Sequence, residues 1–331
     1  VLKVKAVVLA GGFGTRLRPL TFARPKHMLP IVDKPMLEHI VEYLFGFKEI
    51  SEVILSLGYT EEFKLIEEHF SKRKFRGPVR LIKEPKRMGG VAAIKYVLEK
   101  IEIKEPFLLY LGDNITDFDI SKLISFHNKH KGAIATIGLL EVAEPWKFGV
   151  VELKGHEIKS FVEKPAIGQE PSNMASTGIY VLEPEVTKHL TYDFYDSTGM
   201  LFPILLEKRE RLNGLLQKNV FWVDVGRPAS YIEATAYVLR RYGKENWVAP
   251  SAAVGKGTRL EGPVVVYKNV RIGKDCVIRN SVIFEGTEIG DNCSIINSII
   301  DEGCRIGDGM HISTTLGKGS VLMNGKDDGN T

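Results

Sequence analysis

The last quarter of the chain is periodic, and no other feature limits its fold as tightly. Val248, Val254, Leu260, Val266, Ile272, Ile278 and Phe284 recur every six residues. A larger period lies above the first, because Val254-Gly255, Ile272-Gly273, Ile289-Gly290 and Ile306-Gly307 follow one another at steps of 18, 17 and 17. The shorter span holds one strand and a corner, and three such sides close a coil. Stacked coils bury columns of aliphatic side chains, while glycine at the corners relieves turn strain. The spacing predicts a triangular parallel β-helix over residues 248–323. Cys276 and Cys293 stand four residues after the markers Ile272 and Ile289, which places them above one another in adjacent coils as packing residues. The polar, glycine-containing stretch 324–331 is expected to be a flexible tail.

Before about Gly243 the pattern is different. Largely apolar runs at Val4–Leu9, Val53–Leu57, Val79–Ile82 and Phe107–Leu111 read as strands too apolar to be half-exposed. Between them lie helices: Met36, Leu37, Ile40, Val41 and Leu44 share one face at helical spacing, and Phe63–Phe70 and Val91–Leu98 behave similarly. Strands alternating with amphipathic helices predict an α/β domain with a parallel sheet over residues 1–243.

Charge and composition narrow the partners. The 45 basic and 41 acidic residues are spread along the chain and leave a net charge of +4, so no region forms a nucleic-acid-binding stripe. No stretch approaches the roughly 20 apolar residues that span a bilayer, and Val1–Lys5 lacks a signal-peptide pattern. A cytoplasmic protein with neither nucleic acid nor membrane as partner is expected. Its three cysteines, Cys276, Cys293 and Cys304, have no CxxC spacing and are expected to be reduced, structural thiols.

The chemistry-bearing stretch closes the first strand: Leu9-Ala10-Gly11-Gly12-Phe13-Gly14-Thr15-Arg16-Leu17-Arg18-Pro19-Leu20-Thr21, followed by Arg24-Pro25-Lys26. A glycine-rich turn after a strand lets backbone N–H groups approach phosphate oxygens, and adjacent cations neutralise them. A dinucleotide fingerprint needs GxGxxG, which Gly12, Gly14 and Leu17 do not supply. The glycines together with Thr15-Arg16, Pro19, Thr21 and Pro25-Lys26 resemble the signature of the sugar-phosphate nucleotidylyltransferases, and Pro25-Lys26-His27-Met28-Leu29-Pro30 resembles members that use UTP or dTTP. The resemblance covers essentially the whole chain. It implies a Rossmann-like domain with a mixed, mostly parallel sheet, followed by a left-handed β-helix. It also implies a reaction in which a nucleoside triphosphate and a hexose 1-phosphate, with Mg²⁺, give a nucleoside-diphosphate sugar and pyrophosphate.

In such a reaction the sugar-phosphate oxygen attacks the α-phosphorus in line with departing pyrophosphate, so two anions must be kept from repelling each other. By resemblance Arg16 grips the triphosphate and Lys26 draws the reacting phosphates together. Leu9, Gly11, Gly12, Gly14 and Thr15 fall in the nucleotide-binding turn, and Glu84 and Gly89 in the base-binding loop. Asp113, in Leu111-Gly112-Asp113-Asn114, and Asp224, in Trp222-Val223-Asp224-Val225-Gly226, each follow an apolar strand. The family holds its Mg²⁺ at these positions, and one or two carboxylates plus substrate phosphates suit that ion; a capping role is the plain alternative. Glu163 and Lys164 of Phe161-Val162-Glu163-Lys164-Pro165, Thr177, and Gly149 resemble the sugar-phosphate half of the site. A strand-entry turn is the plain alternative for Gly149.

UTP or dTTP with glucose 1-phosphate is the leading expectation. Glu84 nevertheless stands where pyrimidine-specific members carry glutamine, and a carboxylate can only accept hydrogen bonds. Guanine presents two donors on one edge, so a mannose-1-phosphate guanylyltransferase is the alternative. A second activity, acetyl transfer by the β-helix, would need a base such as His311, which reads better as a corner residue. A non-catalytic regulatory subunit would have lost site residues, yet Gly14, Thr15, Arg16, Lys26, Asp113 and Asp224 are all present. The β-helix offers faces that a neighbouring subunit can cover, and a homo-oligomer is expected.

Overall fold

In the computed structural model, residues 3–59, 62–193, 195 and 197–323 are described; the tail expected at 324–331 lies outside them. The chain packs as two compact units. One contains the described residues of Val1–Gly12 and Leu37–Trp222, the other those of Phe13–Met36 and Val223–Thr331.

The first unit is built on nine strands: β1 (Val4–Ala10), β2 (Ile50–Leu57), β3 (Val79–Lys83), β4 (Phe107–Leu111), β5 (Ala135–Glu141), β6 (Gly149–Lys154), β7 (Glu157–Glu163), β8 (Met174–Leu182) and β9 (Leu212–Leu216). They form one sheet in the order β3-β2-β1-β4-β8-β5-β9-β7-β6. Pairing is parallel across β3-β2-β1-β4 and between β5 and β9, and antiparallel at the remaining neighbours. The sheet is thus mixed rather than mostly parallel. Its second half departs from the βα pattern because β6 and β7 are joined through Gly155 and His156, too short a link for a crossover helix.

Helices α1 (Met36–Phe45), α2 (Glu62–Ser71), α3 (Gly90–Lys100), α4 (Ile120–Lys129) and α5 (Leu201–Glu207) accompany this sheet. Val91, Ile94 and Val97 of α3 bury against Val7, Ile54, Phe107 and Leu109, joining a core that continues through Ile137, Leu139, Tyr180 and Phe202. Burying one such aliphatic side chain contributes roughly 1.5–3 kcal/mol, so the apolar face of α3 outweighs its weak glycine start. Asp119 caps α4 by accepting from Lys122 N at 3.0 Å.

The second unit joins α6 (Pro228–Arg241) to the periodic segment. The periodic segment forms stacked parallel strands in three columns. One runs Val254, Ile272, Ile289, Ile306, Leu322; another Leu260, Ile278, Ile295, Ile312; the third Val248, Val266, Ile283, Ile300, Leu316. Ile283, not Phe284, occupies the third column, because the coils shorten from 18 to 17 residues and the six-residue count drifts by one. Cys276 and Cys293 stack as expected: Cys293 N donates to Cys276 Sγ at 3.3 Å, both are buried, and burial raises the Cys293 thiol above its ordinary value. His311 lies on an exposed strand position beside Ser294. No helix among the described residues is long and apolar enough to cross a membrane.

Candidate active site

In open α/β sheets ligands collect beyond the carboxyl ends of parallel strands, and the first unit places four expected residues there. Gly11 and Gly12 follow β1, Glu84 follows β3, and Gly112-Asp113 follows β4. A Cβ at Gly11 would sit 2.8 Å from Glu84 Oε1, so the bare glycine lets the turn after β1 lie against that carboxylate without displacing it. The space around Gly12 is open, as a backbone that must meet a ligand requires. Leu9 O accepts from Gly112 N at 2.9 Å, which ties the ends of β1 and β4 together.

Glu84 is 6% exposed. Burial pushes its carboxyl up to about 7, against the lowering effect of Ser56, whose hydroxyl donates to Oε1 at 3.1 Å. Ser56 is the polar residue buried within the otherwise apolar run Val53–Leu57. Gly89 takes a positive φ of 76° and caps the N-terminus of α3.

The residues expected around the sugar form a second group in this unit. Glu163 Oε1 accepts from Ser197 Oγ at 2.7 Å, and Lys164 Nζ lies 3.9 Å from the same oxygen. A Cβ at Gly149 would meet Phe161 Cζ at 2.4 Å and Glu163 Oε2 at 2.9 Å, so this glycine is fixed by close packing against the Glu163 strand. Ser197 escaped the sequence reading because nothing periodic marks its loop. Thr177 is buried within the sheet. Its buried hydroxyl donates to Gly138 O at 2.8 Å, and its carbonyl accepts from Asn114 Nδ2 at 2.7 Å and Trp222 Nε1 at 2.9 Å. The side chain is therefore occupied in holding β8 to its neighbours.

Arg16, Lys26 and Asp224 belong to the second unit. Gly14 has φ 61°, and a Cβ there would meet Lys26 Cβ at 2.8 Å, so the glycine turn lies against the stem of the Lys26 side chain. Thr21 Oγ1 donates to Gly14 O at 2.9 Å, and buried Leu17 and Leu20 anchor the segment. Thr15 opens the short turn Thr15–Leu17. Arg16 is exposed, with Nη2 4.0 Å from Asp224 Oδ2, and Gly226 would crowd that guanidinium at 2.8 Å if it carried a Cβ. Lys26 is 5% exposed, a setting that strengthens its field on any phosphate it meets.

Glycine turns, cations and strand-end carboxylates are the groups with which α/β proteins handle nucleotides. Known proteins agree. The nucleotidyl transferase family profile matches residues 5–241, and that of the GMPPB C-terminal domain matches residues 243–325. The chain is 32% identical over 286 residues to an Arabidopsis thaliana protein named probable mannose-1-phosphate guanylyltransferase 2, covering 84% of this chain and 76% of that one. It is 32% identical over 279 residues to the Xenopus laevis mannose-1-phosphate guanyltransferase beta-B, covering 82% and 74%. Among solved structures, UDP-glucose pyrophosphorylase complexed with UDP-glucose superposes with a TM-score of 0.60 at 26% identity, covering 72% of this chain and all of that one. The chain belongs to the nucleotidyl transferase family and is a sugar-1-phosphate nucleotidyltransferase.

Proposed function

We propose that the chain makes GDP-mannose from GTP and mannose 1-phosphate, releasing pyrophosphate. The observation that carries this reading is the buried Glu84 carboxylate beside the first glycine turn. Guanine's N1–H and exocyclic N–H₂ form a paired donor edge, which a carboxylate matches with two acceptors and a glutamine amide does not. The relatives named for mannose 1-phosphate point the same way, so the alternative reading displaces UTP or dTTP with glucose 1-phosphate.

In this reading the backbone N–H groups of Gly11, Gly12, Gly14 and Thr15 donate to the phosphates, and Arg16 stabilises charge on the departing pyrophosphate. Lys26 draws the mannose 1-phosphate oxygen to the α-phosphorus; the new P–O bond forms as the α–β bridge breaks, and no proton need move. Glu163, oriented by Ser197, accepts from sugar hydroxyls, Lys164 pairs with the sugar phosphate, and Gly149 leaves room for the ring. Thr177 contributes to that half by fixing β8.

Asp113 and Asp224 are hard oxygen donors, and among the described residues no group of three or more His, Cys, Asp or Glu forms a closed cage. That donor set suits Mg²⁺, which keeps waters and substrate oxygens in its shell and would supply charge neutralisation. We also infer that the C-terminal stack is a left-handed β-helix and that copies of the chain associate through it, since Val254, Val321 and Met323 are exposed there. A monomer by light scattering would refute the association.

The deciding assay is pyrophosphate release from five nucleotides crossed with glucose, galactose, mannose and N-acetylglucosamine 1-phosphates. GTP with mannose 1-phosphate is expected to lead; a clear lead for UTP or dTTP with glucose 1-phosphate would return the reading to a pyrimidine.

A further inference from the structure

One column of the C-terminal stack departs from the chemistry of the repeat. Val266, Ile283, Ile300 and Leu316 pair in register and point into the stack. The residues that follow them, Tyr267, Phe284, Asp301 and Gly317, alternate to the other side. All four meet the segment that carries Arg16 and Lys26. Tyr267 Oη donates to Pro30 O at 3.2 Å, and Tyr231 of α6 donates to the same carbonyl. The Tyr267 and Phe284 rings stack at 5.1 Å, and the Arg24 guanidinium lies 5.0 Å above Phe284. Arg24 Nη2 then bonds Asp301 Oδ1 at 2.8 Å and Glu302 Oε1 at 2.8 Å. At Gly317 a Cβ would meet Pro19 Cβ at 2.9 Å.

The ion pair is expensive to build. Asp301 is fully buried and the Arg24 side chain is 12% exposed. Asp301 is itself fixed, since its Oδ1 accepts from Glu302 N at 2.8 Å and its carbonyl accepts from Thr287 Oγ1 at 2.9 Å. Buried pairs of this kind seldom add much stability, and their best-attested use is to fix a register. What is registered here is the glycine turn: Arg24 stands two residues before Lys26, and Gly14 packs directly on Lys26. Sliding the segment along the column would therefore move the catalytic lysine.

Resting on the nucleotidyl-transfer reading above, we propose that the Tyr267–Phe284–Asp301–Gly317 column positions Lys26 for reaction, with Arg24 and Asp301 as positioning residues. Asp301→Asn in the full chain keeps the shape and removes the charge that holds Arg24. With the best nucleotide and sugar phosphate, kcat is expected to fall about 10- to 100-fold, the cost of a displacement near 1 Å, while both KM values change less than about threefold. In a Lys26→Ala background the same substitution should alter kcat less than about twofold, because the group through which it acts is gone. A substitution that only loosened the stack would lower kcat equally in both backgrounds. Tyr267→Phe deletes a single hydroxyl, should lower kcat about 3- to 10-fold with the same dependence on Lys26, and decides the matter if Asp301→Asn does not fold. Wild-type kcat in either folded variant, or an equal loss with and without Lys26, overturns the positioning role. An undiminished kcat in Lys26→Ala alone overturns instead the reading on which it rests.

Discussion

Glu84→Gln separates what the Glu84 carboxylate costs the fold from what it does for the nucleotide. The substitution is isosteric, and its amide oxygen can still accept from Ser56 Oγ, which lies 3.1 Å from Oε1. In the ligand-free protein burial raises the carboxyl from 4.5 to about 7. The folded state therefore binds more protons than the unfolded state between those values, and stability falls as pH rises through that window. At about 1.4 kcal/mol per unit, the shift amounts to about 3 kcal/mol of lost stability at pH 8, fully relieved below the unfolded value. Glu84→Gln removes the titration. In urea unfolding without ligand, the variant should exceed wild type by up to about 3 kcal/mol at pH 8, with the advantage shrinking towards pH 5. With GTP the order reverses. Guanine's two N–H groups would face one acceptor and one donor, and a lost charge-assisted hydrogen bond of about 1.5–3 kcal/mol lowers kcat/KM for GTP about 10- to 100-fold. For wild type, the KM for GTP should rise as pH drops below 7 and the carboxylate protonates. A stability difference independent of pH, or GTP use unaffected by the substitution, would refute the reasoning.

Other outcomes follow from the same geometry. Gly149→Ala forces a methyl to within 2.4 Å of Phe161 and 2.9 Å of Glu163, so sugar-phosphate KM should rise, with about 1–3 kcal/mol lost from unfolding free energy. Thr177→Val leaves Gly138 O without its hydroxyl donor and should cost about 1–3 kcal/mol by thermal unfolding; a sugar-phosphate KM raised more than tenfold with stability intact would show that the hydroxyl meets substrate instead. Asp113→Ala and Asp224→Ala should each abolish most Mg²⁺-dependent synthesis while the protein stays folded by circular dichroism, and undiminished synthesis in either would remove that residue from the ion's site.

The legible parts of the chain were those where pattern and packing coincide. β1 and β4 are buried on both faces, so their apolar runs marked them, and the glycines after β1 marked the turn that ends it. The coils were legible as a period, but the drift that puts Ile283 rather than Phe284 in the column depends on one residue of coil length. Thr177 carried the right residue type for a sugar ligand, yet a bulge near Gly178 turns its carbonyl towards Asn114 and Trp222, which no local pattern encodes. Ser197 reaches Glu163 across 34 positions from a loop without periodicity. The change of period divides the sequence near Gly243, whereas contacts group Phe13–Met36 with the C-terminal coils; the first reports residue pattern, the second which core a loop packs on.

That grouping has a consequence for biosynthesis. Arg24 and its partner Asp301 are 277 positions apart, so the glycine turn leaves the ribosome long before the coils that seat it. At bacterial-to-eukaryotic elongation speeds of about 5–20 residues per second, the wait is on the order of tens of seconds. During that interval Arg16, followed by Leu17, belongs to an unseated loop. Trypsin should nick there in nascent chains stalled before residue 300, and far more slowly in the released protein.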